Sequence, residues 1–239
     1  MRKILDLFRK RAANPDFGPI VDNAISLFAV YTGATLTFFV KDFLFADDAK
    51  RGYSNMPDVI GDWKLYAALA VAALLLRYIV GSAAHLRYTY IAKTTSRIHD
   101  GKTIVEERGQ VPSGIHYLFI DMMFLIVFGI LAMMITINTE SPERLMWSMI
   151  YLVSAGAVWS VLALARSREE AFAIAWLGID VAQIITIAVI LNLPGWIPAA
   201  GEMTQAVLLC ITFLGFLFVD MKIVTEMISR KADAEQETG

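Results

Sequence analysis

Four carboxylates interrupt stretches of chain that are otherwise apolar. Asp22 follows Ile20-Val21, Asp121 follows Phe119-Ile120, Asp180 follows Gly178-Ile179, and Asp220 lies near the far end of another run. One base, Arg77, is set the same way between Leu74-Leu75-Leu76 and Tyr78-Ile79-Val80. Ionisable groups placed in hydrocarbon are expensive, which makes each of them a functional candidate. Their chemistry is that of holding a cation, passing a proton, or neutralising one another. A dry layer favours neutral acids, whereas a wet one leaves ionised Asp lining a vestibule that attracts cations.

Other chemistry is thinly represented. His85 and His116 form a candidate site at the edge of the apolar runs, and with Asp121 and Asp22 they could compose a metal site or an acid–base pair. Their spacing matches no helical ligand motif, so no metal is assigned. The chain has no phosphate-cradling Gly loop, His-Glu-x-x-His pair, paired-cysteine zinc pattern or nucleophile elbow. No catalytic residue and no cofactor are expected, and the chain reads more as a non-enzyme than as an enzyme.

The elements carrying these groups follow from composition. Of 239 residues, 57% are hydrophobic and 18% charged, where a soluble domain is nearer half apolar and about a quarter charged. The excess is gathered in blocks, as in membrane spans. Crossing about 30 Å of hydrocarbon takes about 20 helical residues, and six runs reach that length, near 18–40, 64–88, 116–138, 144–165, 173–193 and 204–225. They must be helices, because each has to satisfy its own backbone in lipid. The expected fold is an all-α membrane protein of six transmembrane helices arranged as three helical hairpins. A basic amphipathic segment, 1–17, precedes the six-span domain 18–225, and a polar tail, 226–239, follows it. The single cysteine, Cys210, lies in an apolar run and reads as a small buried residue.

Lys and Arg orient the bundle. Most of the 21 lie on one side: Arg2, Lys3, Arg9, Lys10 and Arg11 before the first span, Arg87, Lys93, Arg97, Lys102 and Arg108 around the second connection, Arg166 and Arg168, and Lys222, Arg230 and Lys231. Both termini are therefore expected in the cytoplasm. Ile4, Leu5, Leu7 and Phe8 can share one face of a short interfacial helix. Trp63, Trp147, Trp176 and Trp196 read as interfacial anchors. Asp100-Gly101 could close a small hairpin, and Asn192-Leu-Pro-Gly-Trp-Ile-Pro reads as a turn or interfacial segment.

Depth gathers the charges into one layer. At about 1.5 Å per residue, Asp22, Asp121 and Asp180 lie roughly 6–10 Å inside the cytoplasmic boundary, and Asp220 and Arg77 reach a similar level. Three of the acids fall in first turns, where the helix dipole favours a carboxylate. An Asp early in each odd-numbered span also suggests an internal hairpin repeat. In helical projection Asp22, Ser26, Gly33 and Thr37 form a small and polar stripe on the first span, expected to face partner helices or water. Tyr66, Ala70, Ala73, Arg77, Gly81, Ala84 and Tyr88 form a second stripe, suited to close helix packing.

Six spans, cytoplasmic termini and an Asp opening the first span loosely resemble the endosomal and lysosomal potassium-channel family and its bacterial relatives. That family opens its first span with Phe-Ser-Asp, where this chain has Ile20-Val21-Asp22. The likeness is one of topology, with Asp22 the matching residue.

The leading expectation is a channel or small transporter for a monovalent cation or proton. Asp22, Ser26, Thr37, Asp121, Asp180 and Asp220 would form the pathway, and Arg77 would hold one Asp ionised as its buried partner. Asp22→Asn would then abolish flux. A non-catalytic scaffold, accessory subunit or effector is the first alternative, docking through the 89–115 connection. An enzyme on lipid-linked substrates is the second. The expected partners are the bilayer and a second copy of the chain or an accessory protein, with no nucleic acid. The expected location is the bacterial cytoplasmic (inner) membrane.

Overall fold

A computed structural model describes residues 18–41, 62–90, 93–99, 102–108, 114–139, 141–166 and 171–236. The basic segment 1–17, most of the acidic connection after the first span, the Asp100-Gly101 pair and residues 167–170 lie outside the described residues. Six helices carry the fold: α1 Gly18–Val40, α2 Trp63–Tyr90, α3 Gly114–Ile137, α4 Pro142–Arg166, α5 Ala171–Trp196 and α6 Glu202–Gln236. All six are long and apolar enough to cross a membrane. The last continues as a helix well beyond residue 225, through the segment read as a polar tail.

Between α2 and α3, strands β1 Lys93–His99 and β2 Lys102–Arg108 pair antiparallel, with His99 opposite Lys102 and Arg97 opposite Ile104. This is the ribbon that the Asp-Gly signal anticipates.

Helix α2 is the centre of the bundle. More than half of its span, 56%, is buried, against 22% for α1. It packs most extensively on α6 and also contacts α1 and α3, while α4 packs chiefly on α5. Lipid tails are as apolar as leucine, so helix association in a membrane depends on close van der Waals contact. Ala67, Ala70 and Ala73 on α2 are fully or almost fully buried. A Cβ at Gly81 would make an ordinary contact, 3.5 Å, with the Asp220 side-chain oxygen Oδ2 from α6. An aromatic column of Tyr78, Phe128 and Trp159 ties α2, α3 and α4 together, with ring centroids 4.9 and 5.7 Å apart.

Helix ends follow local chemistry. Asp62 accepts from the Lys64 backbone N–H at 3.0 Å and so caps α2. Ser141 caps α4 by accepting from the Arg144 N–H at 3.3 Å, with Pro142 in the first turn, where no N–H is needed. The Asn192-to-Pro198 stretch corrects the turn reading. Helix α5 runs through Pro194 to Trp196, and the turn comes at Pro198-Ala199. Proline has no N–H to give the carbonyl four residues earlier, but here Gln205 Nε2, from α6, donates to that Ile190 carbonyl at 3.0 Å. A side chain thus replaces the missing backbone donor, as lipid-embedded helices require. Gln205→Leu should destabilise the protein by about 1–3 kcal/mol, seen as a lower melting temperature in detergent. Pro194→Ala, which restores the backbone donor, should shrink that loss. An equal loss in both backgrounds would refute the substitution of one donor for the other.

Candidate functional site

The buried charges form two adjoining clusters, and α2 supplies residues to both. Arg77, Tyr78, Gly81, Ser82 and His85 recur at spacings of three and four, so they lie near one face of this helix. Each is placed there by the small-residue packing that draws the neighbouring helices close.

In the first cluster Arg77 Nη1 lies 2.7 Å from Asp180 Oδ1 and donates to Gln183 Oε1 at 2.7 Å. Arg77 Nε is 3.9 Å from Asp220 Oδ1. The guanidinium carbon stands 5.3 Å from the centre of the Tyr78 ring, at a distance suited to cation–π attraction. Ser160 donates to Asp180 Oδ2 at 3.4 Å. Tyr78 donates to the Leu152 carbonyl at 3.2 Å, and its phenol occupies the space that a Cβ on Gly156 would need. Arg77, Asp180, Gln183 and Asp220 are all buried.

The second cluster is built on Asp121, which is fully buried. It accepts from Trp159 Nε1 at 2.8 Å and takes a short hydrogen bond from the Tyr90 hydroxyl. His85 Nε2 lies 3.8 Å from Asp121 Oδ2. The imidazole is held edge-on by Trp159 and Trp176, at centroid distances of 4.7 and 5.9 Å.

A cavity of about 20 Å³ lies beside the first cluster, lined by Arg77, Ser82, Ser160, Trp176, Asp180 and Asp220 among others. On the same measure one water needs roughly 10–15 Å³. Five polar atoms of its lining residues, Arg77 Nε, Ser82 Oγ, Trp176 Nε1, Asp180 Oδ1 and Asp220 Oδ1, lack a geometrically complete hydrogen bond. Trp176 lines the same cavity as Asp220, with its Nε1 buried. A larger groove of about 430 Å³ between α1 and α3, lined by Ala24, Leu27, Phe28, Tyr31, Met122, Leu125, Ile126, Gly129 and Ile130, is apolar apart from the Tyr31 hydroxyl.

The sequence-derived candidates separate cleanly. Asp121, Asp180, Asp220, Arg77 and His85 come together in the interior. Asp22, Ser26 and Thr37 are exposed on the outer face of α1. That differs from the inward face expected of this stripe, and two of its polar groups are satisfied where they stand, Asp22 by Arg87 of α2 and Thr37 within its own helix. Asp22 Oδ1 receives Arg87 Nη2 at 3.1 Å, and the Thr37 hydroxyl donates to the Gly33 carbonyl at 2.9 Å. The buried polar residues of α1 are instead Thr32 and Thr35. His116 is exposed near the start of α3, apart from the buried His85. Among the described residues no group of three or more His, Cys, Asp or Glu is placed to hold a metal ion. Trp176 is buried against His85.

Sequence reading missed Gln183, Ser160, Trp159, Tyr78 and Tyr90. Gln183 had a signal, lying three residues after Asp180 on the same helix face. Trp159 and Tyr90 had none, because an aromatic residue in an apolar run gives no sign of its polar edge. Cys210 is buried and unpaired, as read.

No known protein family, curated protein or solved structure matches this chain.

Proposed function

We propose that the protein is a small transporter or channel for a proton or monovalent cation, acting through the buried Arg77–Asp180–Asp220 cluster. One observation carries the reading. Two buried carboxylates share one guanidinium, so the cluster has an acid beyond what Arg77 balances. Burying an unbalanced charge is expensive, and a proton or small cation is what balances it. The adjoining cavity suits a proton, a bare ion or one water, and is too small for a hydrated ion. Arg77 keeps Asp180 ionised, while Asp220 exchanges its charge state.

In this reading the six spans form three hairpins with both termini in the cytoplasm, and the chain resides in a bacterial cytoplasmic membrane. The distribution of Lys and Arg supports the orientation. Asp22, paired with Arg87 on the exposed face of α1, stands at the approach to the interior. The rest of that face, including Ser26 and Thr37, meets a second copy of the chain or an accessory subunit.

The test is flux in reconstituted vesicles under imposed pH, sodium or potassium gradients. Wild-type protein should dissipate at least one gradient, and Asp180→Asn should slow it by about tenfold or more. Wild-type vesicles no leakier than protein-free ones under every gradient would remove the proposal.

A further inference from the structure

Building on that transport reading, we infer that the species handled is the proton, and that one water in the cavity relays it between Asp220 and the His85–Asp121 pair. The lining discriminates between candidate ions. A metal cation needs a shell of oxygen donors, and the oxygen-bearing side chains lining this cavity are Asp180, Asp220, Ser82, Ser160 and Tyr78. It also presents Arg77 Nε, a positively charged N–H group, and is flanked by the indole of Trp176. Those donors repel a cation at the distance where it would bind. They suit a water molecule, which can accept from N–H groups while donating to carboxylates. A buried water typically makes about three hydrogen bonds, and the unsatisfied atoms around this cavity provide them.

The second proton position is one helical turn away. Ser82, on the cavity wall, and His85 lie three residues apart on α2, a spacing that makes their side chains neighbours. His85 Nε2 is buried and makes no hydrogen bond of full geometry, although Asp121 Oδ2 is 3.8 Å away. The step balances. The Asp220 carboxylic acid gives its proton to the water, which passes a proton by way of Ser82 to His85 Nε2. A carboxylate remains beside Arg77, and an imidazolium stands beside Asp121. The imidazolium so formed has Asp121 beside it, and the Asp220 carboxylate shares Arg77 with Asp180. The facing groups are Arg77, Asp180 and Trp176 for Asp220, and Asp121, Trp159 and Trp176 for His85. With the proton on Asp220 the excess negative charge belongs to Asp121. With the proton on His85 it belongs to the Arg77 cluster. The total over the five groups is unchanged, so the transfer relocates the uncompensated charge without creating one.

The experiment uses full-length protein in vesicles containing a pH-sensitive dye, with an imposed pH gradient and all sodium and potassium replaced by choline. A lipophilic anion supplies charge balance. Proton flux should persist undiminished in choline, and His85→Gln should reduce it by about tenfold or more. Ser82→Ala should reduce it less, since water can bridge the gap. Infrared difference spectra after a pH step should show a protonated carboxyl band in wild type that Asp220→Asn removes, in a variant whose melting temperature reports folding. Flux that requires sodium or potassium would overturn the proton assignment and leave the transport reading standing. Undiminished proton flux in folded His85→Gln would overturn the relay alone. Absence of all flux would remove the transport reading and this inference together.

Discussion

Arg77→Met is expected to destabilise the folded bundle by about 3–5 kcal/mol, the usual result of deleting one partner of a buried ion pair. Methionine fills similar volume and adapts to irregular space, so the loss reports charge rather than a cavity. The variant leaves Asp180 beside Asp220 with no cation between them, and it removes the donor to Gln183 at 2.7 Å. Thermal melting in detergent reads the effect. Adding Asp180→Asn to Arg77→Met should recover part of the lost stability, because one of the stranded acids is then neutral. If the double variant melts no higher than the single one, the Arg77–Asp180 pair is not the electrostatic centre of the cluster.

The second large effect concerns Asp121 on α3, whose carboxylate gathers Tyr90 and His85 from α2 and Trp159 from α4. Asp121→Leu removes the acceptor from two buried hydrogen bonds and the counter-charge from His85. Leaving a buried donor without its acceptor costs about 1–3 kcal/mol each, so a loss of about 2–6 kcal/mol is expected. Asp121→Asn keeps one acceptor oxygen and should lose about half as much. The ordering matters more than the sizes. A merely space-filling Asp121 predicts that Leu is tolerated at least as well as Asn, and melting curves for the two variants separate the cases.

Much of the fold is legible along the chain because the membrane imposes so strong a rule. A backbone in lipid must bond to itself, so each apolar run of sufficient length becomes one helix, and six runs give six helices. Pro194 shows where local rules run out. Proline and the following glycine read as a turn, yet Gln205 on another helix supplies the missing donor and lets α5 continue. No local rule could anticipate a partner on α6.

The site was legible in its charges and illegible in its connections. Asp121, Asp180, Asp220 and Arg77 stand out because charge in hydrocarbon is rare. Helical projection grouped Asp22 with Ser26 and Thr37 correctly as one face, but a face carries no label of inside or outside. Thr37 can satisfy its hydroxyl on the Gly33 carbonyl, so its polarity does not force it inward. The small-residue stripe of α2 was the better guide. Buried Ala70 and Ala73 mark the face of α2 turned into the bundle, and on that face Arg77 meets two acids, from α5 and α6.

The central claim is that the acid beyond what Arg77 balances is the working group of this protein. Proton flux through vesicles bearing Asp220→Asn, beside wild type at equal protein density and under the same pH gradient, tests it most directly. The prediction is a loss of about tenfold or more, with an unchanged or higher melting temperature because a surplus buried charge has been removed. Wild-type flux through a folded Asp220→Asn protein would contradict it.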